Sequence, residues 1–265
     1  ASVSLDGIPT VNDRNRPTVT GHGSGKLVLA TLKAFDEANF RYGIRITVSS
    51  KTVDEMASTV RFILEQAKPQ RVQIEPVYDI GRGEQSDLHV DSSAFIQGYR
   101  AAQAIAEEKG VALRFSSARL DTLTSRFCSA YGEGFSLTPS GKVSGCYEVY
   151  DESADFAEDV IFGHFDDERK TYYFDLQKLQ YLRQHDVTRQ TWCNGCFAKW
   201  HCSGDCPNKA CHATHTGQFQ GMPACEITRT LVLDQLTQKI NEAGGIIWLG
   251  TQPSIAFNDF ALNQG

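Results

Sequence analysis

The sequence predicts an α/β chain in two parts: a parallel sheet with helical crossovers, then a cysteine-rich region of hairpin and helices. Three observations carry this. Short apolar runs alternate with helical patterns over residues 1–115, the alternation stops near 120–127, and every cysteine falls at or after Cys128.

In the first part, Val3 to Leu5, Ile44 to Val48, Val72 to Val77 and Val111 to Phe115 read as strands. Leu27, Leu29, Leu32 and Phe35 follow helical periodicity, as do Met56, Val60, Ile63 and Leu64. The second of these helices opens on a capping-box pattern, Thr52-Val-Asp-Glu55, in which each side chain would take the other's backbone N–H. A third helix spans Ser93 to Glu108, with Phe95, Tyr99, Ala102 and Ile105 or Ala106 on one face, and Gly110 stops it. Repetition of strand, helix and strand at this spacing predicts right-handed crossovers. Three or four such units do not close a barrel, so this part reads as a portion of a larger α/β structure.

The second part begins with a hairpin pattern from Phe135 to Cys146, turning at Pro139-Ser-Gly141. A polar, acidic stretch follows at 151–170, then a helix over 174–185 with Leu176, Leu179 and Leu182 as its apolar positions. A cysteine-dense loop occupies 192–225 and leads to a helix carrying Ile227, Leu231, Leu236 and Ile240. The expected division is 1–122, 123–242 and a C-terminal tail at 243–265.

The bulk numbers narrow the function classes. Hydrophobic residues at 41% and charged residues at 22% are ordinary for a soluble globular protein. A net charge of −6 argues against a nucleic-acid surface. The best apolar run, Gly244 to Gly250, is far short of the ~20 residues a membrane span needs, so no membrane partner is expected. The chain opens on Ala1 with no signal-peptide pattern and reads as part of something longer. Eight cysteines in 265 residues do not resemble a small disulfide scaffold. The even count leaves disulfides formally open, but a reducing, cytoplasmic compartment fits better.

The cysteines carry the chemistry. Cys193-x2-Cys196-x5-Cys202-x3-Cys206 and Cys225 bunch soft thiolate ligands, with Cys128, Cys146 and Cys211 completing the eight. Eight thiolates suffice for two iron–sulfur cubes, each normally taking four. A Cys-x2-Cys pair is equally at home on zinc, yet zinc sites usually pair two such knuckles, and here the second pair is separated by three residues. The spacing favours iron–sulfur and leaves zinc open.

The order Cys128, Gly141-x4-Cys146, Cys193-x2-Cys196-x5-Cys202-x3-Cys206, Cys225 resembles the seven-cysteine pattern of the SPASM domain. That domain is the C-terminal extension of many radical S-adenosylmethionine (radical SAM) enzymes and carries auxiliary 4Fe-4S clusters. Upstream, Ser2-Val-Ser-Leu-Asp-Gly-Ile-Pro-x3-Asn-Asp-Arg-Asn-Arg16 resembles the fourth strand and following loop of the radical SAM partial barrel. Gly43 to Val48 and Val72 to Val77 resemble its fifth and sixth strands. The resemblance reaches to about residue 242. It implies the second half of a partial (β/α) barrel followed by a SPASM domain.

Residue by residue, the resemblance gives Cys193, Cys196, Cys202 and Cys225 to an outer auxiliary cluster and Cys128, Cys146 and Cys206 to an inner one. Some relatives supply a fourth inner ligand a few residues after the first cysteine, where this chain has Gly134. The inner cluster would then keep an open iron or borrow Cys211, which reads equally as a spare buried thiol. The resemblance also implies that Ser4 touches S-adenosylmethionine.

Two departures matter. The Cys-x3-Cys-x2-Cys motif that holds the radical-generating cluster is absent, so S-adenosylmethionine and a third 4Fe-4S cluster are implied only for a complete enzyme of which this chain would be the C-terminal part. Sulfatase-maturing relatives also carry an aspartate base directly after the cysteine matching Cys146, whereas here Tyr147 and then Glu148 follow.

Other residues have two readings. Asp6-Gly7 and Glu75-Pro76 end strands and read either as cavity contacts or as loop structure. Arg14, Arg16 and Arg82 read as solvated loop charges rather than carboxylate binders. His201 and His212 read as surface or supporting residues, and Trp192 and Trp200 as shields over the cysteine loop. The expected function is radical-based oxidative modification of a peptide or protein, supported by two auxiliary clusters and an electron donor such as a ferredoxin or flavodoxin. The alternatives are a non-catalytic, zinc- or cluster-stabilised peptide-binding module and a degenerate, inactive relative.

Overall fold

A computed structural model of the chain describes residues 1–78, 88–154, 156–184, 186–209 and 224–245. Strands β1 (Ser2–Ser4), β2 (Gly43–Val48), β3 (Arg71–Pro76) and β4 (Ala112–Arg114) form one parallel sheet in the order β1-β2-β3-β4. Each connection carries a helix: α1 (Pro9–Asn15) and α2 (Gly25–Glu37) before β2, α3 (Met56–Gln66) before β3, and α4 (Ser92–Glu108) before β4. The register pairs Ser4 with Arg45 and Val48 with Pro76, so β2 and β3 end level, while β1 stops three residues short of the end of β2.

Apolar alternation explains the burial. Ile44, Ile46, Val72 and Ile74 are almost fully enclosed, as are Val60 and Ile63 of α3 and Phe95, Ala102 and Ala106 of α4. Burying each large side chain of this kind contributes about 1.5–3 kcal/mol. The rings of Phe95 and Phe115 meet at 5.7 Å and tie α4 to the end of β4. Gly110, at φ +67°, lets the chain leave α4 by donating its N–H to the Glu107 carbonyl.

Some local expectations fail for identifiable reasons. Leu27 of α2 is 65% exposed, because the core-facing stripe runs through Leu32. The capping box does not form. Residues Val53–Glu55 make a 3-10 turn, the Glu55 N–H goes to the Thr52 carbonyl, and the Thr52 hydroxyl accepts from the N–H of Ser49.

The second sheet is antiparallel, in the order β5-β6-β7-β8: β5 (Ser136–Leu137), β6 (Lys142–Ser144), β7 (Ile161–Asp166) and β8 (Thr171–Phe174). The first pair is the expected hairpin, with Gly141 at φ +76° in its turn. The acidic stretch holds structure that composition concealed: a short α5 (Ala157–Val160) and the β7–β8 pair. Phe174 ends β8, and α6 (Leu176–Gln184) buries Leu182 while leaving Leu176 exposed. Val143, Val160, Phe162 and Leu182 form a second core with Cys146 at its edge. After the short α7 (Lys199–Cys202), the long α8 (Ala224–Glu242) returns to the first core through Ile227, Leu231 and Val232. An Arg100–Asp234 pair with its closest N–O distance at 2.8 Å and the bond from the Leu120 N–H to Gln235 fix α8 there. Among the described residues, no helix is long and apolar enough to cross a membrane.

Candidate metal centre

The cysteine loop is built from tight turns. Cys193 closes a 3-10 turn begun at Thr191, Gly195 turns the chain at φ +81°, and the Cys196 N–H donates to the Cys193 carbonyl at 3.2 Å. Cys202 ends α7. Ser203, Gly204 and Asp205 then run left-handed at φ 58°, 81° and 62°. Cys225 arrives from afar, on the first turn of α8.

Folding gathers the thiols into two neighbourhoods. Cys193 lies within electrostatic reach of Cys196 and Cys225, and Cys202 within reach of Cys225 and Cys193. Burial, reinforced by these neighbours, pushes the Cys193 and Cys202 thiols up. Separately, Cys146 lies within reach of Cys128, while Cys128 and Cys206 both face the buried Tyr131 hydroxyl. Burial pushes the Cys128 and Cys146 thiols up and Cys206 up to about 12. Cys211, with His212, His215, Arg82 and the apolar run at 246–250, lies outside the described residues.

A shared local device serves these sulfurs. Cys128 accepts the N–H of Ala130, Cys146 those of Glu148 and Val149, Cys202 that of Asp205, and Cys206 that of Lys209. Backbone N–H groups aimed at sulfur favour the thiolate that binds metal and tune the potential of an iron–sulfur group. In chemistry the donor set suits such a group. Among the described residues, no three Cys, His, Asp or Glu side chains converge on a single point as one bound ion requires.

Arg119, which no sequence signal marked, joins the parts. Its guanidinium donates to the carbonyls of His201 at 3.2 Å, Phe127 at 3.1 Å and Cys202 at 3.4 Å, and to the Ser203 hydroxyl at 3.3 Å. It also stacks over the Phe127 ring at 5.0 Å. The Ser203 hydroxyl donates in turn to the Thr124 carbonyl at 2.8 Å. His201 supports this seam through Nδ1, which lies 3.3 Å from the Arg119 carbonyl and 3.2 Å from that of Thr122. Trp192 and Trp200 are 47% and 45% exposed, and the Lys199 ammonium lies 5.5 Å from the Trp200 ring centroid.

At the strand ends, Ser4 is partly buried beside Arg45. Arg16 is no solvated charge. It forks onto Asp6 through Nε at 2.8 Å and Nη2 at 3.1 Å, while Asp6 also accepts the Thr47 N–H at 2.9 Å. Arg14 is exposed, as expected. Glu75 resolves toward loop structure: it is 1% exposed and accepts from the Ser116 N–H and hydroxyl, Gln73 and the Tyr78 hydroxyl. Burial, with the Glu75 charge second, holds the Tyr78 phenol well above its ordinary range.

No family model and no curated protein matches the sequence. Solved structures do. Native anSMEcpe with bound AdoMet aligns at a TM-score of 0.64 and 14% identity over 92% of this chain and 68% of its own. Hexahistidine-tagged anSMEcpe with bound AdoMet gives 0.67 and 14% over 93% and 66%. Native anSMEcpe with bound AdoMet and the Kp18Cys peptide gives 0.61 and 14% over 92% and 69%. At this identity the likeness is one of fold, and the chain spans about two thirds of the length of these structures.

Proposed function

We propose that this chain is the C-terminal part of a radical SAM enzyme, a partial-barrel half joined to a SPASM domain that binds two auxiliary 4Fe-4S clusters. The observation that carries the reading is the sorting of seven cysteines into two neighbourhoods within a fold shared with anSMEcpe, whose structures hold AdoMet and peptide. Cys193, Cys196, Cys202 and Cys225 would hold the outer cluster, and Cys128, Cys146 and Cys206 the inner one. When bound, such clusters supply electron acceptance or substrate anchoring.

The chain's own residues prepare the site. The N–H groups of Ala130, Glu148, Val149, Asp205 and Lys209 favour thiolate at the sulfurs they face. Arg119 holds the Cys202 turn against the segment that leads to Cys128. Ser4, at the C-terminal end of β1, would meet S-adenosylmethionine in the complete enzyme, with the Asp6–Arg16 pair bracing the turn behind it. The substrate on this reading is a peptide or protein, and a ferredoxin or flavodoxin would supply electrons.

Anaerobic reconstitution with iron and sulfide tests the reading. The expected result is about eight of each per chain and a brown chromophore. Zinc bound with no iron would overturn it and leave a structural, peptide-binding module.

A further inference from the structure

Asp205 is the last of three consecutive left-handed residues, at φ 62°, a conformation that aspartate and asparagine adopt by bonding locally through their short side chains. Its side chain is buried, with the residue 2% exposed. Oδ1 accepts the Cys206 N–H at 2.7 Å, but Oδ2 has no hydrogen-bond partner among the described residues. An enclosed carboxylate oxygen left bare is costly unless a cation or metal compensates it. A buried carboxylate oxygen without a partner, at a turn between two cysteines, marks a functional position.

The surroundings say which function. The charge of Asp205 is felt by the Cys206 and Cys202 thiols and by the Tyr78 and Tyr131 hydroxyls, and Tyr131 also faces Cys128. The inner set has three cysteines for a cluster that takes four ligands. We propose that Asp205 is the fourth ligand of the inner cluster, its Oδ2 binding the iron that Cys128, Cys146 and Cys206 leave uncovered. This rests on the two-cluster reading above. Carboxylate oxygen is an ordinary ligand for iron. Side chains of consecutive residues in extended chain point to opposite sides, so adjacent ligands need a sharp turn between them. The left-handed run ending at Asp205 supplies it.

The test compares the parent chain with Asp205→Asn and Asp205→Cys, each reconstituted anaerobically with iron and sulfide. Asparagine tolerates the left-handed backbone and keeps an oxygen for the Cys206 N–H, so this variant removes only the anionic ligand. All three should carry about eight irons. The Mössbauer spectrum of the parent should resolve an oxygen-bound iron that is lost in both variants. Ferricyanide, by removing one electron from a cube, then drives release of ferrous ion from an incompletely held corner, read as the 3Fe-4S electron paramagnetic resonance signal. That signal should rise several-fold in Asp205→Asn and fall below the parent in Asp205→Cys. Identical spectra and signals in all three would overturn the assignment of Asp205 while leaving two clusters in place. A parent chain holding about four irons or none would remove the inner cluster and overturn both readings.

Discussion

Arg119 and Cys202 are 83 residues apart in sequence, yet the guanidinium of the first donates to the carbonyl of the second at 3.4 Å. The same side chain reaches the Phe127 carbonyl, one residue before Cys128. One cation thus holds together the segments that present the two cysteine sets.

Replacing Arg119 should therefore loosen both. Arg119→Ala leaves several carbonyls without their charged donor and is expected to cost roughly 2–3 kcal/mol. Arg119→Lys should recover little of this, because an ammonium cannot span the same acceptors. Urea midpoints of the metal-free chain would measure it, and unchanged midpoints would remove Arg119 from this role.

Gly145, next to Cys146, packs against the backbone of Ala130, two residues after Cys128. A Cβ there would stand 2.7 Å from the Ala130 carbonyl oxygen, which belongs to the backbone and cannot swing aside. Gly145→Ala is expected to destabilise the chain by about 1–3 kcal/mol. It should also lower reconstituted iron toward about four per chain, since only the inner set is disturbed. Full iron loading would contradict this.

The two sets should fail independently. Replacing Cys193 and Cys196 together by alanine, or Cys128 and Cys146 together, should in each case leave about four irons, and replacing all four should leave almost none. Complete loss from either paired variant would mean one shared site rather than two.

The Asp6–Arg16 pair should matter for folding more than its surface position suggests. Asp6 is 3% exposed and also holds the Thr47 N–H. Asp6→Ala is expected to cost about 3 kcal/mol, the lower end for breaking a buried pair because the Arg16 side chain is 31% exposed. Thermal melting of the two chains would show it.

Local periodicity made much of the parallel half legible. The strands around Ile44 and Val72 and the helix ending before Gly110 follow from side-chain spacing, since each buries one stripe or face against its neighbours. The β7–β8 pair was missed although Thr171-Tyr-Tyr-Phe174 is made of β-branched and aromatic residues, because the acidic turn Asp166-Asp-Glu168 between the two strands made the stretch read as polar loop. The capping pattern at Thr52 misled because a 3-10 turn satisfied the Glu55 N–H through backbone alone.

By itself the sequence determined which residues could ligate metal and in what order they occur. It also determined the alternation of strand and helix through most of the first half, because that depends on neighbours a few positions away, though not the short α1. Only the tertiary structure decided that Cys225 comes within electrostatic reach of Cys193, that Cys128 does so of Cys146, and that Arg119 bonds to the Cys202 turn. These relationships depend on how sheets and helices pack across long stretches of chain, and no local pattern of residue types encodes a distance of that kind.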